Sequence, residues 1–164
     1  MAVYYFSEAY SKGMHAGNKA RNDVEAILYK KYKRLTPYGK KSQNKLLKSF
    51  KLMRTALSAK KSDVIIMQYP LQRGCNWLVK NITKKRKCVL IIHDLDALRY
   101  PSVPSDEVEK LKNAYRIISH NEKMTKFLIE KGIAKEKIQN LGVFDYLIPV
   151  SYTHLRAHET DQYL

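Results

Sequence analysis

With 164 residues, 45% of them hydrophobic, the sequence can bury one substantial core but not two, which argues against a multidomain chain. Its formal net charge of +16 comes from lysines and arginines spread along the chain, so we expect an anionic membrane, a nucleic acid or a phosphorylated substrate as partner. Cys75 and Cys88 lack the spacing of a metal cluster, the amino terminus has no secretory-signal pattern, and no apolar run approaches the roughly 20 residues of a membrane-spanning helix. These features favour a cytoplasmic protein that is soluble or peripheral at the inner membrane face.

The first part of the chain predicts short strands that alternate with longer helices. Residues 3–6 form a β-rich apolar run, and residues 18–31 carry apolar side chains along one helical face. Residues 32–35 are predicted as a second strand. Residues 42–59 place apolar side chains at helical spacing opposite lysines, which predicts a surface helix.

The rest of the chain continues this alternation. Residues 63–68 and 87–92 are continuous apolar runs, typical of central parallel strands that are buried on both faces. The other predicted elements are helices at 77–82, 106–114 (capped by Ser105) and 122–131 (ended by Gly132), and strands at 116–119 and 138–141. The order predicts a Rossmann-like, doubly wound, mainly parallel α/β sheet with helices on both faces, which receives ligands at the carboxyl ends of its strands.

The loop between the first strand and the first helix is one candidate site. Gly13 and Gly17 allow close backbone approach to a phosphate, and Asn18 and Lys19 open the helix whose free N–H groups attract anions. The chain contains neither G-x-G-x-x-G nor G-x-x-x-x-G-K-[ST], so neither a dinucleotide fold nor a P-loop is indicated. A capped turn with solvated lysines explains the same residues equally well.

A second candidate site is HDLDALR at residues 93–99, directly after the most apolar predicted strand. Polar groups at that strand end face a cleft, where Asp94 or His93 can take a proton from an attacking hydroxyl group. The alternative makes Asp94 a loop or cap residue and His93 a hydrogen-bonded strand-end histidine. Asp94 and Asp96 also spell D-x-D, a metal-binding pattern that arises easily by chance, and we predict no metal site and no cofactor.

Further polar side chains follow the neighbouring strands. Gln68 and Tyr69 lie at the end of the third predicted strand and just after it, and Ser119, His120 and Asn121 lie likewise at the fifth. Tyr69 can stack on a sugar ring, although an aromatic residue at a strand end is more often part of the core. Ser119 and Asn121 are also candidate caps of the helix that begins near residue 122.

Five segments in order carry a family resemblance: HAGNKARND, DVIIMQYP, KCVLIIHDLDALR, AYRIISHNEKMTKFLIEKG and KIQNLGVFDY. Together they resemble the bacterial GT-B glycosyltransferases that include the galactofuranosyltransferases of polysaccharide synthesis and the glucosyltransferase acting on serine-rich adhesins. The resemblance covers nearly all of residues 1–149. It implies two Rossmann-like domains facing across a cleft, the first handling the acceptor and the second binding most of the nucleotide sugar.

The resemblance also implies roles for individual residues. A hexosyl group, galactofuranosyl or glucosyl, would pass from a UDP-sugar to a glycan, lipid-linked or glycoprotein acceptor with inversion. Asp94 is our first choice as the base, with His93 beside it. The donor diphosphate side is assigned to Gly13, Gly17, Asn18 and Lys19, and acceptor binding to Asp96, Arg99, Gln68, Tyr69 and Asn121.

The end of the sequence is interpreted separately. VSYTHLRAHET at residues 150–160 resembles a translated sequencing adapter, which outweighs a polar tail or a metal site built on His154 and His158. We therefore expect residues 1–149 to be a truncated acceptor-side domain, inactive alone and prone to homo-oligomerise. The alternative is a basic stand-alone α/β domain that binds nucleic acid or anionic surfaces. Specific nucleic-acid recognition is not expected, because no RRM, KH, zinc-finger or helix-turn-helix signature is present.

Overall fold

The computed structural model describes residues 1–7, 16–36, 45–71 and 75–142, and in these residues six strands form one sheet. In chain order the strands are β1 (Val3–Phe6), β2 (Lys33–Leu35), β3 (Val64–Tyr69), β4 (Lys87–Ile92), β5 (Arg116–Ser119) and β6 (Ile138–Asn140). Their order across the sheet is β2-β1-β3-β4-β5-β6, and every neighbouring pair is parallel. The predicted Rossmann-like parallel α/β fold is confirmed.

Helices connect the strands, as a parallel sheet requires. In the described ranges they are α1 (Ala16–Lys31), α2 (Lys45–Ser58), α3 (Val79–Lys85), α4 (Asp96–Arg99), α5 (Glu107–Leu111) and α6 (Glu122–Glu130). Short 3₁₀ turns at Asn76–Leu78 and Lys135–Lys137 precede α3 and β6. None of the helices in these ranges combines the length and apolarity that a membrane crossing needs.

The structure corrects several predicted boundaries. Helix α1 begins two residues before the predicted residue 18, and α5 ends at Leu111 rather than at residue 114. Helix α4 was not predicted at all. Asp106, not Ser105, occupies the cap position of α5, although the Ser105 hydroxyl still accepts a hydrogen bond from the Glu107 amide at 3.2 Å.

The hydrophobic core lies on both faces of the sheet. On one face, β3 and β4 contribute Ile65, Met67, Leu90 and Ile92, which pack under α2, α3, α5 and α6 and are at most 1% exposed. On the other face, Tyr5, Ile66 and Ile91 pack against Val24 and Leu28 of α1. Each fully buried aliphatic side chain contributes about 1.5–3 kcal/mol, so the two central strands anchor the sheet.

Helix α6 is closed at both ends by the residues that the sequence indicated. The Asn121 side chain accepts a hydrogen bond from the Met124 amide at 2.7 Å, which makes Asn121 the N-cap. At the other end Gly132 has φ +87°, and the Ile133 amide bonds back to the Leu128 carbonyl at 3.0 Å. This is a Schellman-type end that needs a left-handed residue, and glycine adopts that conformation without strain.

The strand order creates a switch point between β1 and β3. The chain moves from β1 to β2 on one side and then returns to place β3 on the other side of β1. The connections after β1 and after β3 therefore diverge at the carboxyl edge and leave a crevice between them. Open α/β sheets bind ligands at such a crevice.

Candidate functional site

A line of directed hydrogen bonds begins beside this crevice, at the end of β3. Gln68 is 3% exposed, and its side-chain nitrogen donates to the Arg21 carbonyl of α1 at 3.1 Å. The Gln68 side-chain oxygen must then be the acceptor in its 2.6 Å contact with Nε2 of His93. Arg21 in turn donates from Nη1 to the Pro70 carbonyl at 2.9 Å. Gln68 therefore contacts His93 from within the core.

The line continues past β4 to β5. Nε2 of His120 lies 2.8 Å from the His93 carbonyl, so this nitrogen carries a proton and donates it. Nδ2 of Asn121 contacts Nδ1 of His120 at 3.1 Å, while Oδ1 of Asn121 is occupied by the Met124 amide. The bonding pattern assigns Nε2–H to both histidines and leaves Nδ1 as the basic nitrogen of each ring.

His93 is held in its neutral form. Burial, and to a lesser extent the nearby charges of Arg21 and His120, together lower its pKa from 6.5 to about 3. A neutral imidazole with its proton committed to Gln68 can accept a second proton at Nδ1. The structure therefore holds His93 as a neutral imidazole at the carboxyl edge of the sheet.

Asp94 is engaged by its own loop. Its Oδ1 accepts from the Leu95 amide at 2.9 Å, and its other oxygen forms an ion pair with Arg99 at the end of α4. The Asp94 side chain is 37% exposed and that of Arg99 is 56% exposed. Asp96 is the exposed first residue of α4. These three residues lie together on the solvent side of the loop, and the described residues contain no group of three His, Cys, Asp or Glu side chains placed to hold a metal.

Tyr69 turns inward and contacts a carboxylate that the sequence did not single out. It is 1% exposed and belongs to the core, and its hydroxyl donates to Oε1 of Glu107 at 3.0 Å. Glu107 is 5% exposed, and its Oε2 accepts from the Ala97 amide of α4 at 2.9 Å. Burial raises the pKa of both side chains, with the charge of Glu107 adding to the rise for Tyr69. Glu107 thereby joins the loop after β4 to α5.

Glu107 had one signal in the sequence. It lies four residues before the buried Leu111 on the same face of α5. A buried carboxylate needs hydrogen-bond partners. The spacing of apolar residues along one helix does not show which residues those partners are. Glu25 of α1 was missed in the same way: it accepts a hydrogen bond from the buried Ser7 hydroxyl after β1, and burial raises its pKa.

The residues assigned to the donor diphosphate are described only in part. Gly13 lies outside the described residues. Gly17 and Asn18 belong to the first turn of α1. Lys19 pairs with Asp23 at 3.2 Å, and its side chain is 46% exposed. The backbone thus brings the start of α1 to the same sheet edge as His93, next to the switch point.

Fold and site together define a parallel α/β domain with a polar site at the carboxyl edge of its sheet, the arrangement of Rossmann-like ligand-binding domains. Residues 3–143 match the family described as glucosyltransferase 3-like, N-terminal domain, and the chain belongs to that family. The match confirms the resemblance to the glycosyltransferases that include the adhesin-modifying glucosyltransferase. A search of curated proteins found no match.

Proposed function

We propose that this chain is the acceptor-side domain of an inverting glycosyltransferase. The enzyme would move a glucosyl or galactofuranosyl group from a UDP-sugar to a hydroxyl group of a glycan, lipid-linked or glycoprotein acceptor. Membership of the glucosyltransferase 3-like family supports the class of reaction. The observation that carries the proposal is the neutral, hydrogen-bonded His93 at the ligand-binding edge of the sheet.

In the proposed reaction the acceptor oxygen forms a bond to the anomeric carbon as the bond from that carbon to the UDP oxygen breaks. The proton of the acceptor hydroxyl passes to a base. His93 is a neutral imidazole and can take up a proton, whereas the carboxylate of Asp94 is in an ion pair with Arg99. His93 is therefore the first candidate for the base, and Asp94 is the alternative.

Donor binding would adjust the basicity of His93. With a pKa of about 3 the imidazole is a weak base, and the field of Arg21 contributes to this low value. A diphosphate bound at the start of α1 would place negative charge near Arg21 and His93. That charge favours the imidazolium, so the pKa of His93 rises when the donor is present. The base would thus become effective only in the loaded site.

The direct test uses the full enzyme that contains this domain. Hexose transfer from UDP-glucose and UDP-galactofuranose is followed by mass spectrometry of the acceptor, with Lys123→Gln on the exposed face of α6 as matched control. His93→Gln should lower kcat by roughly 10²- to 10⁴-fold. If Asp94→Asn has that effect and His93→Gln does not, Asp94 is the base. If neither variant loses activity, the proposed site is wrong.

A second test uses the chain itself. The His93 ring resonances are titrated by NMR with and without UDP. We expect the pKa of His93 to rise when UDP binds, since the diphosphate opposes the field of Arg21. If the pKa of His93 is unchanged in the presence of saturating UDP, the donor diphosphate does not bind near His93.

A further inference from the structure

A basic groove lies at the amino edge of the sheet, opposite the candidate site. It has a volume of about 490 Å³ and is formed where β3, β4, β5 and β6 begin. Its cationic lining comes from well-separated parts of the sequence: Lys61, Lys84, Lys85, Lys87, Arg116 and Lys137. None of the described residues that line the groove is acidic. Clustered like charges repel each other, so this surface favours an anionic partner.

Arg86 lines the same groove but has a structural role. Its guanidinium donates to the Ala59 carbonyl and to the Leu57 carbonyl, both at 2.8 Å. These bonds tie the α3–β4 turn to the end of α2. The neighbouring lysines at 84, 85 and 87 are exposed, and their charge is not needed for those bonds. The groove thus combines a hydrogen-bonded frame with exposed cationic side chains.

An exposed tyrosine lies among these cations. Tyr115 is 45% exposed, and its ring has Lys87 at 5.7 Å and Arg116 at 5.0 Å from the ring centre. An amphipathic ring surrounded by cations is the combination found at membrane–water interfaces. Binding of single-stranded nucleic acid uses aromatic faces on which bases stack, and here cations already lie over the ring.

We propose that this basic groove is a docking surface for an anionic phospholipid bilayer. The flexible lysines suit a diffuse plane of phosphate charge, because each contributes through its charge without a fixed bonding geometry. Charge complementarity and the interfacial tyrosine favour this partner over nucleic acid. The inference is independent of the transferase chemistry, which involves the other edge of the sheet.

Docking at the amino edge defines an orientation. Strands β3 and β4 are six residues long, so at about 3.3 Å per residue the two edges are roughly 20 Å apart. A bilayer at the basic groove leaves the carboxyl edge, with His93, directed away from the lipid surface. An acceptor group would then have to extend from the membrane or approach from the solvent.

The test measures binding of the whole chain to vesicles of phosphatidylcholine with about 30% phosphatidylglycerol, compared with pure phosphatidylcholine. The groove variant combines Lys84→Gln, Lys85→Gln and Lys87→Gln, three exposed positions. Each lysine near an anionic surface contributes about a fivefold factor, so we expect the partition coefficient to fall on the order of a hundredfold. In a second variant, Lys87→Gln with Arg116→Gln, the partition coefficient should fall roughly 25-fold. This variant tests the proposal if the first one does not fold.

The matched control removes three exposed lysines elsewhere, with Lys30→Gln, Lys123→Gln and Lys126→Gln. Its binding to the anionic vesicles should stay within a few fold of the original chain. An equal loss in the control and groove variants would overturn the proposal, since the charge would then act diffusely. The proposal also fails if the vesicles do not bind and the groove lysines instead govern binding of a single-stranded RNA oligonucleotide.

The fluorescence of Trp77 can test how the chain is oriented on the bilayer. This residue is the single tryptophan of the chain, is 47% exposed, and lies between β3 and α3 at the carboxyl edge. Brominated phosphatidylglycerol should leave its fluorescence unquenched, because docking at the amino edge keeps it outside the bilayer. Strong quenching would place the carboxyl edge in the membrane and contradict the proposed face.

Discussion

Replacing His93 with glutamine should change how stability depends on pH. The folded state holds the pKa of His93 at about 3, whereas an unfolded chain has a histidine pKa of about 6.5. Between these values the unfolded state binds one proton more, so protonation favours unfolding as the pH falls. The contribution of His93 to stability is present above about pH 6.5 and is lost as the pH falls toward the folded-state value.

The size of the change in pH dependence follows from the one additional proton that the unfolded state binds at His93. Where the unfolded chain is protonated and the folded chain is not, the free energy of unfolding falls by about 1.4 kcal/mol per pH unit, approximately between pH 5.5 and pH 4. Glutamine can still donate to Gln68 but does not titrate. The His93→Gln variant should therefore have a shallower dependence on pH by that amount.

The assay is urea unfolding followed by circular dichroism at several pH values on both proteins. Comparing slopes cancels the constant stability cost of the substitution and the titration of all other groups. Equal slopes would refute the partly buried, neutral state of His93. An NMR titration that places the pKa of the folded-state His93 near 6.5 would refute it independently.

Three further substitutions test the packing around the site by urea unfolding. Tyr69→Phe removes the hydroxyl that donates to Oε1 of Glu107 and should cost about 1.5–3 kcal/mol, whereas no loss would mean that this carboxylate is solvated. Asn121→Ala should cost about 1 kcal/mol through loss of the α6 cap, and Asn121→Ser should recover most of it. Gly132→Ala should cost roughly 1–2 kcal/mol from the left-handed backbone alone, because among the described residues only its chain neighbours lie within 4 Å of the added carbon; a stabilised variant would contradict that assignment.

The strands were the most predictable part of the fold. Residues 3–6, 87–92 and 116–119 are strands in both the prediction and the structure, because each is a short β-rich run that is followed by a polar residue. Helix α4 could not be predicted, since four residues are too few to show a helical period. Helix α5 ends early because Tyr115 must start the pairing of β5 with β4, with its amide bonded to the Cys88 carbonyl at 2.9 Å.

The location of the candidate site was predictable and its internal bonding was not. Parallel topology brings the residues after every strand to one edge, which is how His93 and Asn121 come to share it. Pairings between residues far apart in sequence, such as Tyr69 with Glu107, depend on how helices pack on the sheet. The basic groove could not be predicted for a related reason. Its lysines are spread along the sequence and come together only in the folded chain.

The order of the strands also bears on how the chain can fold during its synthesis. After β3 has paired with β1, each of β4, β5 and β6 is added to the edge formed by the strand just before it. Among the strands of the described residues, none has to be inserted between two earlier ones. At about 5–20 residues per second, translation from the start of β3 at residue 64 to the start of β6 at residue 138 takes roughly 4–15 s. Each new strand can therefore pair with a strand that is already in the sheet when it leaves the ribosome. The hydrogen bonds that link Gln68, His93 and His120 then form in the order in which these residues are made.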